Sequence, residues 1–167
     1  MQHVLFHHAA SPRLAARLTA LGAAGLEVTV VPPERPELLG PVLAETEVLW
    51  HVLAPATAEL IAAAPRLRLI QKIGVGVNTI DLAAAQARGI PVCNMPGTNT
   101  AAVAEHTLLL MLASLRRLRD LDAATRKGEG WRLPDALFDS VGEIGGRRVG
   151  LVGLGAVGRS LVPVPPA

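Results

Sequence analysis

With 167 residues, half of them apolar, the chain is long enough to bury the core of one ordinary domain plus a remnant. A formal net charge of +2, arginines dispersed along the chain and only two Phe, two Trp and no Tyr exclude the basic stripe and stacking platform of a nucleic-acid binder. The longest apolar run, residues 108–113, is far too short to span a membrane, so no membrane partner is expected. Cys93 is the only cysteine, which excludes an intrachain disulfide and a cysteine-based zinc site and suits a cytoplasmic location. Residues 1–10 carry three His and no basic segment followed by an apolar stretch, so they do not read as a signal peptide.

In chain order, residues 4–7 form a first short β-like run. Ser11 followed by Pro12 predicts a capped helix start, and Leu14, Leu18 and Leu21 repeat at helical spacing until Gly22. Residues 26–31 are a second strand ended by Pro32 and Pro33, residues 36–46 a weaker helix, and residues 48–53 a third strand. Thr57 caps a short helix ending near Pro65, residues 67–73 are a fourth strand, and residues 74–78 a turn. Asp81 starts an Ala-rich helix to Arg88, and residues 90–94 are a fifth strand. Strands alternating with helices build parallel sheets, so the expectation is an α/β fold whose residues 1–100 form a flavodoxin-like lobe.

Residues 101–118 are apolar at nearly every position, predicting an interdomain helix buried on most sides and ended by Arg116, Arg117 and Arg119 at its negative pole. The connector that completes residues 101–146 is rich in Gly, Pro and charge, with Trp131 as an aromatic anchor. Residues 147–153 restart a strand that runs into Gly153-Leu154-Gly155-Ala156-Val157-Gly158. This is the G-x-G-x-x-G of a dinucleotide site: the first glycine for a tight turn, the second for close approach of a pyrophosphate, the third for packing of the following helix. Such a site needs an acidic residue about 20 positions later for the ribose, and only residues 159–167 follow. Pro163, Pro165 and Pro166 each cost about 3 kcal/mol in a helix interior, leaving room for about one turn. Residues 147–167 are therefore expected to be the start of an incomplete Rossmann domain, its strand unpaired.

Three segments in order, I-G-V-G-V-N-T-I-D-L (73–82), G-I-P-V-C-N-M-P-G-T-N-T-A-A-V-A-E-H-T (89–107) and G-R-R-V-G-L-V-G-L-G-A-V-G (146–158), resemble the D-2-hydroxyacid dehydrogenase family. The resemblance implies NAD- or NADP-linked hydride transfer between a 2-hydroxy acid and its 2-oxo acid, in an intact protein that is a homodimer. It places the substrate carboxylate on the backbone amides of Val75 and Gly76, an arrangement suited to anions at the carboxyl end of a parallel strand. Asn78 then shapes the turn. The resemblance puts Asn99 near substrate and Thr100 near cofactor, although both are also placed to cap the next helix. It assigns Gly153, Gly155, Ala156, Val157 and Gly158 to the cofactor. His51 falls near a position that carries Arg in phosphoglycerate dehydrogenase-like members, where it would sense the far end of the substrate; a surface histidine is the alternative.

No metal is expected, because His7 and His8 point to opposite faces of their strand. His106 reads as a hydrogen-bonded helix residue. The family's carbonyl-polarising Arg and its Glu-supported His fall beyond residue 167, so no catalytic residue is assigned and the chain alone is expected to be inactive. The competing expectation is a non-catalytic binding or oligomerisation fragment that pairs with a full-length homologue through the apolar helix. A phosphoacceptor receiver or an FMN lobe lacks its residues here: His7, His8 and His51 stand where a receiver needs acids, and H-H-A-A-S-P follows the first strand where FMN needs a hydroxyl- and glycine-rich loop.

Overall fold

Parallel strands cannot be joined by tight hairpins, and the helix that crosses between each pair covers the sheet with its apolar face. The computed structural model, which describes residues 1–162, follows this rule throughout its first unit, Met1–Pro96. That unit runs β1 (Gln2–His7), α1 (Pro12–Ala20), β2 (Leu26–Val30), α2 (Leu39–Leu43), β3 (Val48–His51), α3 (Ala58–Ala62), β4 (Leu69–Lys72), α4 (Leu82–Ala87) and β5 (Val92–Cys93). The sheet order is β2-β1-β3-β4-β5 and every pairing is parallel, the flavodoxin-like order expected.

Local chemistry sets the helix starts. The Ser11 hydroxyl accepts from the Leu14 N–H at 3.2 Å with Pro12 in the first turn, Thr57 Oγ1 accepts from the Leu60 N–H at 3.3 Å, and Asp81 Oδ1 accepts from the Ala84 N–H at 2.9 Å. The first helix does not stop at Gly22. A 3-10 turn, Leu21–Ala24, carries the chain on to Gly25, whose φ of 81° is the left-handed exit that Gly22 does not supply. Leu5, Leu49 and Ile70, adjacent in the sheet, are buried with Ile61, Ile80, Ala85 and Ile90 in one core.

The second unit begins at Gly97 and contains α5 (Thr100–Leu115), α6 (Leu118–Arg126), α7 (Asp135–Ser140) and α8 (Ala156–Leu161). Several sequence expectations are corrected here. The apolar helix is not buried on most sides: Ala104 is its one buried residue, while Leu108, Leu109, Leu110 and Leu112 are 44–56% exposed. A helix apolar all round needs partners on every side, and the short α6 and α8 contact only part of α5. The basic cluster does not end a single helix, because Arg117 adopts φ 51° and breaks the chain between α5 and α6. Arg119 therefore sits in the first turn of α6, and Arg117 pairs with Asp120 at 2.8 Å.

Trp131 anchors nothing and is fully exposed. Residues 147–153 form no strand, since no neighbouring strand exists among the described residues of this unit to receive their hydrogen bonds. Instead Val149 and Leu151 line a cleft of about 200 Å³ with Leu108 and Met111 of α5 and Leu161 of α8. The six-residue α8 is slightly longer than the single turn expected, and Pro163, Pro165 and Pro166 lie outside the described residues.

Replacing Leu49 by Ala should cost about 2–5 kcal/mol in a denaturant titration followed by circular dichroism. Trp131→Ala should change stability by no more than about 0.5 kcal/mol, since an unburied side chain has no packing to lose.

Candidate functional site

All five strands of the sheet point the same way, so their carboxyl ends gather at one edge, where β1, β3 and β4 finish in register. His7 pairs with His51, and His51 with Lys72. Side chains alternate along a strand, so these three stand on the same face as Leu5, Leu49 and Ile70, two residues earlier. All three are buried, His51 completely. His51 is thus not a surface histidine: it continues the core column into the edge. Its Nε2 lies 3.5 Å from Thr79 Oγ1, and the Nδ1 atoms of His7 and His51 are buried without a hydrogen bond of good geometry among the described residues. The Lys72 ammonium donates to the carbonyl of Val52.

Burial pushes both imidazoles below the ordinary histidine range; the charges of Lys72 and His7 push His51 further, and His8 does the same to His7. An interaction of the imidazole with the backbone carbonyl of Ala54 opposes the shift at His51 only in part.

β4 runs into the turn predicted at residues 74–78. Gly74 has φ 148°, and a Cβ there would stand 3.3 Å from Lys72 Cε, so the exit from the strand is reserved for glycine. The N–H groups of Val75 and Gly76 find no acceptor among the described residues, and both residues are exposed. A Cβ on Gly76 would lie 3.1 Å from Asn78 Oδ1, which places the Asn78 side chain against the turn. Sequence reasoning passes over two residues here. Lys72 looks like an ordinary surface lysine at the end of an alternating run, and only the register with His51 buries it. Asn94 looks like a strand-end residue, yet its side-chain amide bonds the Val75 carbonyl at 2.8 Å.

In the second unit, Asn99 precedes α5 with no side-chain bond to the helix, so the capping role is absent. Its carbonyl accepts from the Val103 N–H at 2.9 Å, and its exposed side chain is uncommitted. Thr100 opens α5, its N–H donating to Gly97 O at 3.2 Å. His106 is exposed, and its imidazole makes no hydrogen bond among the described residues, contrary to expectation.

The glycine loop of the second unit has the geometry its spacing requires. Gly153 turns at φ 91°, a Cβ on Gly158 would strike Gly153 O at 2.7 Å, and a Cβ on Gly155 would meet nothing within 4 Å. The first and third glycines are therefore demanded by the loop itself, and the second leaves an open approach to its backbone, followed by Ala156 and Val157 at the start of α8. This cradle fits a pyrophosphate.

The family model described as D-isomer specific 2-hydroxyacid dehydrogenase, catalytic domain, matches residues 4–144. A D-3-phosphoglycerate dehydrogenase of Mycobacterium leprae is 39% identical over 127 residues, covering 76% of this chain and 23% of that protein. A glyoxylate reductase of Thermofilum pendens is 40% identical over 128 residues, covering 76% of this chain and 38% of the relative. Among solved structures, an NAD-dependent formate dehydrogenase from Staphylococcus aureus in complex with NAD superposes with a TM-score of 0.81 at 27% identity, over 96% of this chain and 52% of the other. D-lactate dehydrogenase from Aquifex aeolicus, complexed with NAD and lactic acid, gives a TM-score of 0.75 at 25% identity, over 95% and 46%. The chain thus spans a quarter to two fifths of these curated relatives and about half of the solved chains.

The buried histidines set an expected acid response. Folding disfavours their protonated forms, so as pH falls below about 6.5 the unfolded chain takes up protons first. Stability is full above that value and is lost as pH falls toward the lower folded values. A urea midpoint that drops between about pH 7.5 and about pH 5.5, with a smaller drop in the His7→Gln/His51→Gln double variant, is the expected result. An equal drop in both proteins would show that other groups control it.

Proposed function

The chain belongs to the D-isomer specific 2-hydroxyacid dehydrogenase family by its match to the catalytic domain, and from that premise we propose that it serves an oxidoreductase interconverting a 2-hydroxy acid and its 2-oxo acid with NAD or NADP. The part assigned to unit Met1–Pro96 is capture of the substrate carboxylate. One observation carries this reading: the exposed Val75–Gly76 turn at the carboxyl edge of the parallel sheet, whose two amides have no acceptor among the described residues. Successive free amides make an anion-binding concavity, and open α/β sheets bind ligands at this edge.

In the second unit we assign Asn99 to substrate and Thr100 to cofactor, with Gly153, Gly155, Ala156, Val157 and Gly158 holding the cofactor's pyrophosphate. When bound, the nicotinamide accepts or supplies the hydride. No residue of this chain is assigned the proton transfer; its side of the chemistry is binding and orientation. The free, exposed Cys93 suits a reducing compartment, and we place the protein in the cytoplasm. No helix among the described residues is long and apolar enough to cross a membrane.

A second reading rests on α5. Leu108, Leu109, Leu110 and Leu112 expose an apolar surface that a second protein chain would bury, either a copy in a homodimer or a full-length homologue. In sedimentation velocity, Leu109→Glu/Leu112→Glu should shift the protein toward monomer. A wild type that is monomeric at all concentrations and ignores a full-length homologue rules this reading out.

For the principal reading, titrating the ¹⁵N-labelled chain with pyruvate should move the Val75 and Gly76 amide resonances. Gly76→Ala should weaken binding by about tenfold, because its Cβ crowds Asn78 Oδ1 beside the donor amides. Unmoved resonances at saturating pyruvate would remove the turn from the site.

A further inference from the structure

The turn that offers the two amides is held from one direction by two consecutive residues of another segment. Past the end of β5, the Met95 N–H donates to the carbonyl of Gly74 at 2.8 Å, and the Asn94 side-chain amide donates to the carbonyl of Val75 at 2.8 Å. These carbonyls are not incidental. The Gly74 carbonyl shares a peptide group with the Val75 N–H, and the Val75 carbonyl shares one with the Gly76 N–H.

A trans peptide is planar, with its N–H directed opposite to its C=O, and no peptide of the described chain is cis. Gripping both carbonyls from the side of residues 94 and 95 therefore turns both N–H groups to the opposite side. A carbonyl that accepts a hydrogen bond also polarises its own amide, which strengthens the N–H as a donor. The Met95 contact is backbone and survives any side-chain change, whereas the Asn94 contact depends on one residue. The register makes that contact possible: Ile70 pairs with Val92 and Gln71 with Cys93, so Asn94 follows β5 where Lys72 and the turn follow β4.

We propose that Asn94 is a positioning residue for carboxylate recognition, fixing the Val75–Gly76 peptide plane so that the Gly76 N–H faces the anion. The inference rests on the carboxylate reading of the turn and adds to it a specific side chain that never touches the ligand. Asn94 is exposed, so its replacement leaves the core intact. It also differs from Gly76 in its effect: substitution at Gly76 crowds the donors, while substitution at Asn94 lets a donor rotate.

The test compares the wild type with Asn94→Ala, Asn94→Asp and Asn94→Gln, using pyruvate as the probe. Circular dichroism and thermal unfolding confirm that each variant is folded. Removing the donor in Asn94→Ala should weaken pyruvate about tenfold, the worth of one hydrogen bond. It should also lower the ¹⁵N order parameter of the Gly76 amide in the free protein while leaving those of β1, β3 and β4 unchanged. Asn94→Asp should lose more, because a carboxylate repels both the Val75 carbonyl and the incoming anion. Asn94→Gln, which keeps an amide donor on an exposed arm, should recover part of the affinity.

Equal pyruvate affinity and an equal Gly76 order parameter in wild type and Asn94→Ala would overturn this inference while leaving the carboxylate turn in place. An unchanged Gly76 order parameter accompanied by lower order parameters throughout the sheet would show a merely structural residue, also overturning it. A wild type that binds no pyruvate at these amides would overturn the reading of the turn, and the role of Asn94 with it.

Discussion

Everything functional in the first unit depends on how a parallel sheet ends. Inside the sheet each amide has a partner on the next strand; past the last paired residue it has none, and a buried or half-buried N–H left alone is costly. β4 ends at Lys72 and β5 at Cys93, and the segments that follow meet through the carbonyls of the turn. The carbonyls of Gly74 and Val75 are satisfied, and the amides of Val75 and Gly76 have no acceptor among the described residues. The concentration of unpaired donors on one exposed turn follows from that asymmetry.

The same edge holds a second unresolved demand. His7, His51 and Lys72 lie side by side on the core face, and none of them takes part in an ion pair among the described residues. Two acids that follow β3 and β4, Glu59 and Asp81, stand in or before the first turns of α3 and α4, where Asp81 caps its helix and a hydrogen bond with Thr57 holds Glu59 below the usual carboxylate range. Neutral imidazoles are the arrangement that lets two histidines and a lysine share this space, which ties the integrity of the edge to pH.

The second unit shows what the same chemistry does without a sheet. Residues 147–153 have a strand's sequence but no neighbour to pair with, and α5 has a core helix's composition without a core around it. The glycine loop nevertheless keeps its shape, because its requirements are internal: a positive φ at Gly153 and a contact between Gly158 and Gly153 O that no side chain can enter.

Local chemistry accounts for what the sequence determined by itself. Ser11, Thr57 and Asp81 cap the helices they were expected to cap, the alternation of strands and helices yields a parallel sheet, and the three spaced glycines make their turn. Each of these outcomes depends on residues within a few positions of one another, so spacing along the chain is enough to read them. The remaining features depend on partners far away in sequence. His51 is buried because β1 and β4 flank it, Asn94 meets Val75 because β5 lies beside β4, and the leucines of α5 are exposed because the described chain does not cover them. Burial, register and the direction of a peptide plane are properties of neighbours, and only tertiary structure assigns the neighbours.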